Sequence, residues 1–199
     1  MTQRNTSSNS VISPPKPEPE PDMVLFHGTP GILHTQSAVL DPDKAGNDRG
    51  SICATPDLRM ASLYVLGDRL ALVSFPKKDE FTPYAVIDAD ERTPIQGAVY
   101  AFNARSNGFR PHVWPDGRMS GEYRTQQPVH ITAPHATFNS MASLQAIGVD
   151  LYSLTKSADR NDFLTDWRAA PQRQNFIAEQ VTAGRLRRLT NVPFSAPSR

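Results

Sequence analysis

Apolar residues in this chain come in short runs rather than long stretches. Met23-Val24-Leu25-Phe26, Leu70-Ala71-Leu72-Val73-Ser74-Phe75, Tyr84-Ala85-Val86-Ile87-Asp88 and Ala98-Val99-Tyr100-Ala101-Phe102 are four to six residues long, with loops rich in Gly and Pro between several of them. Runs of that length, rich in β-branched and aromatic residues, predict strands. Gly50-Ser51-Ile52-Cys53-Ala54-Thr55 reads as a further strand, following a loop that contains Gly31, Pro42 and Gly46. Helical spacing occurs in three places. Leu58–Leu66 repeats apolar residues three and four apart, with Thr55 as expected cap and Pro56 in the first turn. Ser140–Ile147 ends at Gly148, and Asn161–Leu189 is polar and breaks near Pro171. Residues 103–121 read as loop, Glu122–Thr125 and Val129–Thr132 as one interrupted strand or two short ones, and Val149–Tyr152 as a last edge strand. The sum is an α+β domain.

Its limits follow from composition. Residues 1–22 are rich in Ser, Thr, Asn and Pro, ending in closely spaced prolines from Pro14 to Pro21. Proline lacks a donor N–H and favours extended chain, so a disordered or polyproline-like tail is expected there. Such a tail is a solvated leader or, on a sharper view, a secretion leader. A single domain over 23–189 and a loose end over 190–199, with Pro193 and Pro197, complete the expected organisation.

Twenty-one basic and 20 acidic residues nearly cancel, which removes any charge argument for nucleic acid or membrane. Cys53 is the single cysteine, so no intrachain disulfide forms and a reducing compartment is expected. No signal-like pattern or membrane-length apolar run is present, giving a cytoplasmic expectation, with delivery into another cell through the leader as its alternative. His34, His130 and His135 lack metal-site spacing, so no metal is expected. Arg185-Leu186-Arg187-Arg188 reads as a solvated helix end.

Three stretches carry chemistry. His27-Gly28-Thr29 ends a strand, Ser62-Leu63-Tyr64 ends a helical segment, and Glu122-Tyr123 opens a late strand. An imidazole can exchange hydrogen bonds with a ribose hydroxyl. A glycine lets backbone approach an amide closely. A phenol ring can stack on a flat heterocycle, and a carboxylate can oppose a developing sugar cation. Taken singly, each also suits a bland role: a strand-end histidine satisfied by backbone, a core tyrosine, a solvated glutamate. Their order along the chain is what selects the functional alternative.

In that order these stretches resemble the His-Tyr-Glu signature of diphtheria-toxin-like and poly(ADP-ribose) polymerase-like ADP-ribosyltransferases. The resemblance covers about residues 23–155. It implies a split, twisted antiparallel sheet with a few flanking helices, gripping NAD in a cleft. It implies mono-ADP-ribosyl transfer to a protein or nucleic acid, as bacterial toxins and effectors perform. His27 and Thr29 would meet ribose, Gly28 the carboxamide, Ser62 and Tyr64 the nicotinamide, and Glu122 would be the catalytic carboxylate. The segment before Glu122, with Phe109, His112, Trp114 and Arg118, would meet the acceptor. Ser120 stands where arginine-modifying relatives carry a first Glu, which speaks against an arginine acceptor. No long insertion is present for a helical regulatory domain, so polymer formation is not implied. NAD hydrolysis and a catalytically inactive binding module of the same fold remain alternatives. An RNA 2′-phosphotransferase is disfavoured, because Tyr64 stands where that enzyme has a second histidine.

Overall fold

The computed structural model describes residues 18–20, 22–33, 38–44, 50–74, 83–131, 133–155, 159–170 and 173–190. The expectations for residues 1–17, Phe75, Thr132, Pro171 and 191–199 lie outside them, as does His34. The element order is β1 (Val24–Pro30), β2 (Val39–Leu40), β3 (Ile52–Ala54), α1 (Leu58–Leu63), β4 (Leu70–Ser74), β5 (Tyr84–Ile87), β6 (Gly97–Asn103), β7 (Arg110–Val113), β8 (Met119–Thr125), β9 (Val129–His130), β10 (Ala136–Phe138), α2 (Met141–Gln145), β11 (Asp150–Leu154), α3 (Arg160–Ala169), α4 (Arg173–Thr182) and β12 (Leu186–Arg188). Short 3-10 turns occupy Pro42–Lys44 and Tyr64–Arg69.

The architecture is α+β, with mostly antiparallel open sheets. One sheet is ordered β1-β6-β10 and another β3-β8-β7. They meet at a single antiparallel bridge, Phe26 to Thr55, with backbone bonds of 2.7 and 3.0 Å. A four-stranded sheet runs β12-β11-β5-β4, with β11 parallel to β5, and β2 pairs β9.

Strand β6 is buried on both faces, as its apolar sequence requires. Ala98, Tyr100 and Phe102 enter one core with Leu25, Ile52 and Phe109, while Val99 enters a second with Leu63, Ile87, Leu144 and Leu151. A third core packs α3 and α4, through Phe163 and Phe176, on Leu72, Val86 and Leu186.

Several expectations are corrected. Residues 103–121 are not all loop. They contain β7 and the start of β8, a hairpin whose turn is closed by Trp114 N–H to Arg118 O at 2.8 Å and by Gly117 at φ +83°. Strand β11 is not an edge: it lies between β5 and β12. Arg185–Arg188 is not a helix end, because Leu186–Arg188 forms β12. The cap of α1 is Asp57, whose carboxylate accepts from Arg59 N–H at 2.9 Å and also ion-pairs Arg59; Thr55 Oγ1 instead accepts from Asp57 N–H at 3.3 Å. The helix tightens into a 3-10 turn at Tyr64, and Gly67 breaks that turn at φ +54°. Packed chain also reaches further toward the N-terminus than Met23: Pro19 is buried and Glu18 lies 3.5 Å from Arg110.

Candidate active site

The site lies where β1, β3, β8 and the end of α1 meet. Strand β1 brings His27 against β3, and His27 Nδ1 donates to the carbonyl of Cys53 at 2.6 Å. Burial lowers the imidazole's pKa, and that carbonyl bond offsets it in part. A neutral ring with its proton on Nδ1 leaves the Nε2 lone pair as an acceptor.

Gly28 makes the next contact. A Cβ there would stand 1.9 Å from the carbonyl oxygen of Ala61 and 3.3 Å from Cβ of Tyr64. The bare backbone therefore seats the end of α1 directly on β1, and this seating sets Tyr64 beside the strand that carries His27. Gly97, on the neighbouring strand, is confined in the same way by Cβ of Val65 at 2.4 Å.

Tyr64 is 37% exposed, while its neighbours Ala61, Ser62 and Leu63 are buried. Its phenol pKa is pushed well above the usual range, first by desolvation and then by the negative charge of Glu122 beside it, with Arg124 pulling the other way. The hydroxyl is thus a proton donor set against the carboxylate, and part of the residue still faces solvent.

Glu122 arrives by an irregularity in the hairpin. Between the pairs Pro111–Tyr123 and Val113–Met119, β7 advances two residues and β8 four. The surplus contains Gly121, at φ +80°, followed by Glu122. A bulge of this kind re-aims the side chain it carries. Ser120 secures the turn, its Oγ accepting from Glu122 N–H at 3.0 Å. Strand β8 pairs with β3, Ala54 facing Tyr123, so Glu122 lies one residue beyond that pair on the strand next to the one whose Cys53 carbonyl holds His27. Phenol and carboxylate, far apart in the chain, adjoin one another, and β3 carries the carbonyl that holds the imidazole.

Other predicted residues fall elsewhere. Thr29 Oγ1 donates to Gly31 O at 3.0 Å, so its hydroxyl keeps acceptor capacity only. Ser62 is 0% exposed and its hydroxyl donates back to Leu58 O at 2.7 Å, as buried helical serines do; it serves the helix and does not line the site. Phe109 is also 0% exposed, stacked on Phe102 in the core, which removes it from any acceptor surface. His112 meets Trp114 edge-on with ring centroids 5.3 Å apart, and Trp114 is 47% exposed near the hairpin tip. Arg118 is paired with Asp116 at 2.6 Å. A concavity of about 780 Å³ lies beyond the end of β1, lined in part by Pro30, Ile32, Arg69, Gln96 and Asn139; His27, Tyr64 and Glu122 are outside its lining. The titratable groups, and not that hollow, locate the candidate chemistry.

Sequence reasoning missed Arg124. Its Nη2 donates to Glu122 Oε2 at 2.9 Å, and their side chains are 25% and 16% exposed. The signal was present: residues two apart on a strand share a face. Among the described residues no group of three or more His, Cys, Asp or Glu could hold a metal, and no helix is long and apolar enough to cross a membrane. Set against family models, curated proteins and solved structures, the chain matches none of them.

Proposed function

We propose that the chain is a mono-ADP-ribosyltransferase of the split antiparallel-sheet type, cleaving the nicotinamide–ribose bond of NAD and passing ADP-ribose to a macromolecular acceptor. The observation that supports this proposal is the Tyr64 phenol set against the Glu122 carboxylate, on a strand paired with β3, whose Cys53 carbonyl holds His27. The chemistry needs no metal. The ring nitrogen of NAD is cationic, so heterolysis of its bond to C1′ returns the electron pair to nicotinamide, which leaves neutral. The sugar becomes oxocarbenium-like. An acceptor nucleophile then forms a bond to C1′ and loses its proton.

Each residue has a task suited to its setting. His27 Nε2 accepts a hydrogen bond from a ribose hydroxyl. The open side of Tyr64 stacks on the nicotinamide ring, and backbone at Gly28 meets the carboxamide. Glu122 opposes the sugar cation with its carboxylate, an interaction stronger in the transition state than in the ground state. The acceptor rests on the β7–β8 hairpin, where Val113 and Trp114, and Met119 at the start of the strand bearing Glu122, are exposed. Water in the acceptor's place gives NAD hydrolysis.

The test is incubation with NAD labelled in its adenylate half, with and without cell lysate. Labelled macromolecules support transfer. Free nicotinamide without labelling supports hydrolysis. Absence of both, with no thermal shift by NAD, overturns the proposal in favour of a binding module.

A further inference from the structure

We propose that Arg124 is a positioning residue for the reaction above, holding the Glu122 carboxylate in its working orientation beside Tyr64. This rests on the NAD-cleaving function just proposed. The geometry is specific. Glu122 leaves the irregular part of the β7–β8 pairing, and a glutamate side chain has three torsions to fix. Arg124 Nη2 removes that freedom by holding Oε2 at 2.9 Å. Arg124 itself stands in regular pairing, opposite Cys53 on one side and Arg110 on the other, so its backbone is a firm anchor.

Two further observations point to function more than packing. Arg110, its cross-strand neighbour, has its own carboxylate in Glu18 at 3.5 Å, which leaves Arg124 with Glu122. And Arg124 Nε is buried without a hydrogen-bond partner. A buried donor left open costs free energy, so the position of this guanidinium is set by its contact with Glu122 and not by its own hydrogen-bond satisfaction. The cation also has a cost, since it faces the same region as the sugar cation. The hold on Glu122 must therefore act through orientation, and Lys, a compact charge on a flexible stem, keeps the charge without fixing Oε2 where Arg124 Nη2 holds it.

The experiment compares nicotinamide release by wild type, Arg124→Gln, Arg124→Lys, Glu122→Gln and the Glu122→Gln/Arg124→Gln double variant. Misplacement of a reacting group costs on the order of 100-fold in rate, so kcat is expected to fall by about that factor in both Arg124 variants, with KM little changed. In the Glu122→Gln background, Arg124→Gln is expected to add nothing, because it acts through a carboxylate already gone. Wild-type kcat in Arg124→Gln, a change confined to KM, or a full further loss in the double variant overturns the proposal. Exchange of the Arg124 guanidinium protons, followed by NMR without NAD, is expected to quicken in Glu122→Gln; unchanged exchange overturns the clamp even if a variant folds poorly. If wild type releases no nicotinamide, the NAD-cleaving function fails, and the exchange rates still decide whether the clamp exists.

Discussion

At the scale of single residues, the candidate site gives three ordinary side chains unequal surroundings. Glu122 is mostly covered and held by Arg124, and under the proposed reaction its charge would matter most as positive charge develops on the sugar. Glu122→Gln keeps the shape and removes the charge. It is expected to leave folding and NAD binding nearly intact while kcat for nicotinamide release falls by about 100-fold or more, the scale on which one electrostatic contact to a transition state operates. Full turnover in that variant would remove Glu122 from the mechanism. His27 makes a prediction in pH. Its folded pKa is lowered from 6.5, so the unfolded chain binds the proton more readily. Its contribution to stability is then complete above 6.5 and is lost as pH falls through the lowered native value. Thermal midpoints measured from pH 7 down to pH 5 should fall less steeply in His27→Asn, whose amide can still donate to Cys53 O but does not titrate. Equal slopes would show that acid destabilisation comes from other groups.

At the scale of elements, what matters is how closely helix and strand approach. Alpha helix α1 is short and capped by Asp57, and its last turn sits on β1 because Gly28 has no side chain. In Gly28→Ala the new methyl meets the backbone oxygen of Ala61, which no rotamer change relieves. Overpacking of this kind costs about 1–3 kcal/mol, to be read from urea denaturation. Displacement of Tyr64 should reduce NAD turnover at temperatures where the variant is still folded. A Gly28→Ala protein with wild-type stability and turnover would show that α1 slides freely on β1. The hairpin makes the complementary point. Pro111, Gly117 and Gly121 resemble loop residues in sequence, yet Pro111 pairs within β7, Gly117 closes the turn, and Gly121 creates the bulge that aims Glu122.

At the scale of the whole molecule, a shared core joins the sheets. Val99 of β6, Ile87 of β5, Leu151 of β11 and Leu63 of α1 share one core with Leu144 of α2, which is 0% exposed. Leu144→Ala should cost about 2–5 kcal/mol. The two tryptophans give local probes, since Trp114 is near the hairpin tip and Trp167 packs with the α3–α4 core. In single-tryptophan variants, Leu144→Ala should lower the denaturation midpoint equally for both probes; separate shifts would mean that the sheets unfold independently. Much of this arrangement was legible beforehand. Short apolar runs marked β1, β3, β4, β5 and β6, because a strand buried on its faces must be apolar wherever its neighbours lie. The start of α2 followed the expectation, with Ser140 as its cap, because caps are local chemistry; its regular turns stop at Gln145, short of Gly148. The order of His27, Tyr64 and Glu122 could likewise be read from the chain. Strand neighbours could not: β11 became an interior strand and β12 an edge because residues more than thirty positions apart found each other. Nor could burial, which withdrew Ser62 and Phe109 from the site, or the pairing that brought Arg124 to Glu122. Local pattern and residue type belong to the one-dimensional chain, whereas depth, proximity and charge pairing arise only when distant segments share a core.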